Sequence, residues 1–172
     1  MTAKRIALVS TGGTVEKTYD ELQGVLENKV SVLDVMLASL ELRGVEIHRR
    51  SVMNKDSLQM TEADHELIAA TTELCVQEFD GVVIVHGTDR LAVTGERIHE
   101  RLPGVRVPVV LTGAMRPYQM RNTDATQNLT EALIAVQVMP SGVYVAMHNQ
   151  VLAFPGVEKD YERGTFRHVE GE

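Results

Sequence analysis

Four short apolar runs, IALV (6–9), VVIV (82–85), VPVVL (107–111) and VYVAM (143–147), restrict the folds open to this chain more than any other feature. Each is rich in β-branched residues and nearly continuous instead of alternating, the pattern of strands buried on both faces. Strands of that kind need helices on either side, and the segments between them read as helices. Ser31 with Asp34, and Thr61 with Asp64, form hydroxyl-x-x-acid patterns that predict capped helix starts. The first stands ahead of Leu33, Met36 and Leu40, the second ahead of Leu67, Ile68, Thr71, Leu74 and Cys75. Further helices are expected over 90–101 and 123–138, the latter with Leu129, Ala132, Leu133 and Val136 on one face. A weaker alternating run at 45–52 reads as an edge strand. Strand and helix thus alternate, which predicts an α/β fold with an open, mostly parallel sheet between helix layers. The tail, 150–172, reads as a β-hairpin or extended arm that must pack on the domain or on another subunit.

At 172 residues the chain suits one domain, and no linker, repeat or low-complexity tract divides it. A net charge of −7 and an aromatic content of 4% argue against nucleic acid as a partner, because neither a phosphate-tracking stripe nor a stacking platform is visible. The lone Cys75 permits no disulfide within the chain and is expected to be a buried, inert thiol. The apolar run at 6–9 is too short for a signal-peptide core, and no run approaches the ~20 residues of a membrane span, so a cytoplasmic protein is expected. His48, His65, His86, His99, His148 and His168 form no metal-ligand spacing; we expect neither a metal nor another cofactor. His86 is expected to shape the turn that follows it.

In open parallel sheets ligands bind beyond the carboxyl ends of the strands. The residues there are Thr11-Gly12-Gly13-Thr14, then Asn54, Asp56 and Ser57, then His86-Gly87-Thr88-Asp89, then Thr112-Gly113-Ala114-Met115-Arg116. Any one such loop is an ordinary strand-to-helix turn. Four that share small and hydroxyl-bearing residues on one edge point instead to a site for a small molecule. Neither G-x-G-x-x-G nor G-x-x-x-x-G-K-[ST] occurs, so a nucleotide has little support. A hydroxyl nucleophile fits better, since threonine needs a base or a neighbouring charge to activate it. Thr88 and Asp89 are adjacent, and a lysine such as Lys159 would accept a proton if the fold brought it there.

The stretches STGGTVEKTYD, VVIVHGTDRLAVTGERI and PVVLTGAMRP resemble, in order and spacing, the bacterial-type L-asparaginase/glutaminase family, from about Lys4 to at least Leu152. The resemblance implies a flavodoxin-like sheet and an amidohydrolase that turns L-asparagine into L-aspartate and ammonia through an acyl-enzyme. It places the nucleophile on Thr14, a companion tyrosine on Tyr19, substrate-gripping groups on Ser57, Thr88 and Asp89, and a second triad on Thr88, Asp89 and Lys159. Ala114 and Met115, with Arg116, would line or support the pocket, and residues 15–29 would form a lid. Members of the usual length carry a C-terminal domain that lends a neighbouring subunit an acidic residue near the lid tyrosine. We expect one N-terminal-type domain over 1–172, with that second domain absent, and a homo-oligomer. Either the tail, with Glu158, Asp160, Glu162, Glu170 and Glu172, folds over its own or a partner's site and restores the missing acid, or the site is more open, with weaker substrate retention and a higher KM. The opposing alternative is a non-catalytic amino-acid-binding or interaction module, since a fold does not guarantee its chemistry. An amidase within a tRNA-linked amidotransferase is a third, disfavoured by the lack of a basic run.

Overall fold

The computed structural model describes residues 3–169. The chain runs through β1 (Lys4–Gly12), a small hairpin of β2 (Thr18–Asp20) and β3 (Val25–Glu27), α1 (Leu33–Ala38), β4 (Val45–Lys55), α2 (Glu62–Glu78) and β5 (Gly81–Val85). It continues through α3 (Leu91–Arg101), β6 (Pro108–Thr112), α4 (Ala125–Val138), β7 (Gly142–Met147), β8 (Gln150–Ala153), β9 (Val157–Asp160) and β10 (Thr165–His168). Six strands form the central sheet in the order β4-β1-β5-β6-β7-β8, the first five parallel and β8 antiparallel to β7. The five parallel strands have the flavodoxin-like order. The alternating run at 45–52 is the edge strand it reads as.

Successive side chains of a strand point to opposite faces, and both faces here are dry. Ile6, Leu8, Val83, Val85 and Val110 meet Leu33, Met36, Leu129, Leu133 and Val136 from α1 and α4. On the other face Ala7, Val9, Val82, Ile84 and Val109 meet Ile68, Ala69, Cys75 and Ile98 from α2 and α3. Full burial of one such aliphatic side chain contributes roughly 1.5–3 kcal/mol, which explains why the runs are continuous. The C-terminal segment is a hairpin, β9 paired antiparallel with β10, and it packs on its own domain through Phe154, Val157 and Phe166.

Two local expectations differ from the structure. Ser31 does not cap α1: the N-cap is Val32 and makes no side-chain bond, because Ser31 instead hydrogen-bonds Glu16 and Arg49. Thr61 and Asp64 do form the reciprocal capping box of α2. The buried stripe of α2, however, is His65, Ile68, Ala69, Thr72 and Cys75, whereas Leu67 and Leu74 are exposed. Thr72 can be buried because its hydroxyl donates to the Ile68 carbonyl at 2.8 Å, so a residue that reads as polar leaves no unpaired group in the core. Among the described residues no helix is long and apolar enough to cross a membrane.

Candidate active site

The chain leaves β1 towards β4 on one side and later enters β5 on the other, so the crevice at the carboxyl ends of β1 and β5 is the topological switch point of the sheet. Two glycine loops meet there. Gly13 has φ 79° and ψ −171°, a region open essentially to glycine alone. A Cβ on it would fall 2.5 Å from the Gly87 nitrogen, so the T-G-G-T and H-G-T-D turns touch backbone to backbone. Thr14 and Thr88, each the next residue, therefore flank one seam. Gly87 is pressed from its other side by Ser57, whose Oγ would lie 2.5 Å from a Cβ there. The buried Ser57 hydroxyl also accepts the Arg90 N–H at 3.3 Å.

Lys159 arrives from β9, 71 residues beyond Thr88, and its Nζ donates to Thr88 Oγ1 at 2.8 Å and to Asp89 Oδ1 at 2.7 Å. Its side chain is 12% exposed. The Tyr161 ring covers the ammonium, with Nζ 4.8 Å from the ring centroid. Loss of solvent and the nearby Asp89 carboxylate push the Tyr161 phenol above its ordinary pKa. Met115 closes the opposite side, its sulfur 3.7 Å from Thr88 Oγ1. The loop carrying Ala114, Met115 and Arg116 is held by buried Asp124, which accepts the N–H groups of Met115 at 3.0 Å and Arg116 at 2.9 Å. Burial alone would raise the Asp124 carboxyl, but these bonds and His148 hold it below its ordinary value.

Residues 15–29 form the β2–β3 hairpin, fastened beside the seam at both ends. Lys17 pairs with Asp56 at 2.6 Å and holds its carboxyl below the ordinary range. Asn28 Nδ2 donates to the Gly13 carbonyl at 2.7 Å. A polar cavity of about 290 Å³ opens between this hairpin and the β4 loop, lined by Lys17, Asn28, Asn54, Asp56 and Gln59. The Asn54 side-chain oxygen, Oδ1, is buried without a hydrogen-bond partner. A cavity of about 580 Å³ lies elsewhere, between Glu73 of α2 and the 101–106 turn ahead of β6, at the opposite edge of the sheet from the seam.

The structure thus brings Thr14, Ser57, Thr88, Asp89, Ala114, Met115 and Lys159 to one edge. Tyr19 stands on the hairpin, mostly exposed, with its backbone N–H bonded to Gln119. Of the described tail carboxylates, Glu158 pairs with Arg167 and Asp160 caps its own turn, and none of them is bonded to Tyr19 of the same chain. Glu170 and Glu172 lie outside the described residues. Tyr161 and Asn28 escaped the sequence reading. Tyr161 is the first residue of the turn after β9, where strand alternation no longer assigns a face, and Asn28 had no signal either.

The model of the N-terminal asparaginase domain matches residues 5–165. The chain belongs to the asparaginase family. An L-asparaginase of Thermococcus kodakarensis is 32% identical over 162 residues, covering 93% of this chain and 49% of that protein. A component of the glutamyl-tRNA(Gln) amidotransferase of Haloquadratum walsbyi is 35% identical over 145 residues, covering 83% of this chain and 33% of that one. The solved T. kodakarensis L-asparaginase superposes with a TM-score of 0.87 at 30% identity, over 98% of this chain and 52% of its own. L-asparaginase I of Vibrio cholerae gives 0.84 at 25% identity, over 97% and 52%. This asparaginase-family chain therefore spans about half or less of the length of these relatives.

Proposed function

We propose that the chain is an amidohydrolase domain that hydrolyses the side-chain amide of L-asparagine to L-aspartate and ammonia. The observation that carries the reading is the delivery of Lys159 to Thr88 and Asp89, at 2.8 and 2.7 Å, beside the T-G-G-T turn. In the proposed reaction Thr14 Oγ1 attacks the amide carbon and its proton passes by way of Thr88 to Lys159, which acts as the neutral amine, with Asp89 stabilising the ammonium that forms. The tetrahedral oxyanion is stabilised by backbone N–H groups of the turns, an effect that is usually the largest single contribution in such catalysis. Collapse protonates and expels ammonia and leaves an ester on Thr14. Water then adds to the ester carbon, the alkoxide of Thr14 is reprotonated, and aspartate leaves. Ser57 and Asp89 would hold the α-carboxylate and α-ammonium, with Ala114 and Met115 along the wall and Tyr19 on the hairpin above. We read 1–172 as one catalytic domain that works as a homo-oligomer on a small-molecule substrate.

A second reading rests on the amidotransferase relative: the same hydrolysis would then release ammonia to a partner protein. Ammonia release from L-asparagine and, separately, L-glutamine by wild type, Thr14→Ala and Thr88→Ala tests both. Release from asparagine that is lost in both variants supports the hydrolase. A folded wild type inert towards both amides, alone and with a partner protein, sinks both and leaves the non-catalytic binding module; activity only with a partner present favours the second reading.

A further inference from the structure

Behind the H-G-T-D turn a line of hydrogen bonds crosses the core that none of the roles above uses. His65 Nδ1 on α2 lies 2.7 Å from Thr94 Oγ1 on α3, and that hydroxyl lies 2.8 Å from His86 Nε2. His86 Nδ1 in turn lies 2.8 Å from the Gly87 carbonyl oxygen. His65, Thr94 and His86 are 3%, 0% and 0% exposed, and the imidazoles stack with centroids 6.3 Å apart.

The chemistry of the partners sets the direction of every bond. A carbonyl only accepts, so His86 Nδ1 bears the hydrogen. Burial holds the His86 pKa down to about 4, which leaves Nε2 an acceptor at neutral pH, and the Thr94 hydroxyl must donate to it. Having one hydrogen, that hydroxyl can only accept from His65, so His65 also carries its proton on Nδ1. The chain of donors runs one way, from α2 to the Gly87 carbonyl.

That carbonyl belongs to the peptide that precedes Thr88. The peptide is planar and trans, so fixing the C=O inward, against His86, turns the Thr88 N–H the opposite way. Among the described residues this N–H meets no internal acceptor, and it belongs to the residue that follows Gly87, whose own backbone abuts Gly13 across the seam. A donor held in advance where charge develops is what an oxyanion requires.

We propose that His65 and Thr94 are positioning residues of the amide hydrolysis: through His86 they lock the Gly87–Thr88 peptide plane and so present the Thr88 N–H to the oxyanion. The proposal rests on the hydrolase reading above, and its test separates the two. Imidazole ¹⁵N spectra of the full chain should show both His65 and His86 as Nδ1–H tautomers. In Thr94→Val, kcat for asparagine should fall by at least ~10-fold while KM changes less than ~3-fold, and Thr94→Ser should restore most of the rate. Should Thr94→Val fail to fold, His65→Leu against His65→Asn, whose amide nitrogen can donate in place of Nδ1, makes the same comparison. An Nε2–H tautomer at His86, or a folded Thr94→Val or His65→Leu with unchanged kcat, overturns the proposal. A wild type that releases no ammonia removes the role in hydrolysis, while the tautomers still decide whether the relay exists.

Discussion

Lowering the pH should destabilise this domain well above the range in which its carboxylates titrate, and His86 is the reason. Burial carries its pKa from an ordinary 6.5 down to about 4. Between those values the unfolded chain binds a proton at His86 and the folded chain does not, so stability falls as the pH falls. Linkage across that interval removes about 2 kcal/mol between about pH 7 and pH 5. His65, whose pKa burial also lowers, acts in the same direction. Glu16 opposes it: burial raises its carboxyl above the ordinary 4.5, so the folded chain holds that proton more tightly and gains from acid. Asp64, held at about 2 by the Thr61 N–H and Lys55, titrates below the window. Urea unfolding at the two pH values reads the difference directly; with a slope of about 2 kcal/mol per molar, the midpoint should drop by roughly 1 M. The same pair of measurements on His86→Gln, which cannot titrate, should show a lower midpoint at pH 7 and most of the pH dependence gone. Equal wild-type midpoints at the two pH values, or an undiminished pH dependence in the variant, would refute the assignment of a neutral buried His86.

Two further outcomes test the seam and its cover. Gly13→Ala forces an L-residue into a glycine-only conformation, about 1–3 kcal/mol, and drives its Cβ to within 2.5 Å of Gly87. It should lower the melting temperature and abolish ammonia release. Gly104→Ala, at φ 71° with nothing within 4 Å, should be destabilising but active, and equal activity in the two variants would dismiss the backbone contact as a determinant of the site. Tyr161→Phe keeps a ring over the Lys159 ammonium and should leave kcat/KM within about twofold, whereas Tyr161→Ala should lower it several-fold, as expected for a cation–π contact worth about 1 kcal/mol. Identical effects in the steady-state assay would mean that the ring does not act through Lys159.

The sheet was legible because burial on both faces leaves a mark in sequence. Val82 to Val85 must all be apolar, and the surrounding turns must be small and polar, so position along the chain already sorts core from site. The same logic reached Thr14, Ser57, Thr88 and Asp89, each a fixed few residues after a strand end. The helices were read less well where polar side chains are buried. Thr72, His65 and Thr94 look like surface residues until their hydrogen-bond partners are known, and those partners lie on other turns or other helices. Ser31 failed in the converse way: its hydroxyl had a better partner in Glu16 than the start of a six-residue helix could offer.

The amino-acid order alone determined the α/β architecture, the edge of the sheet that carries the candidate site and the identity of the loop residues on it. All of these follow from local pattern: strand period, turn chemistry and short motif spacing. What only the tertiary structure decided are the contacts that close over long sequence separations. Lys159 reaches Thr88 and Asp89 across 71 and 70 residues, His65 reaches Thr94 across 29, and Tyr161 settles over the lysine because the β9–β10 hairpin folds back onto its own domain. No local propensity encodes such meetings. They are set by how the hairpin and helices pack once apolar burial has brought them to the sheet, and by the need of each buried donor to find an acceptor there.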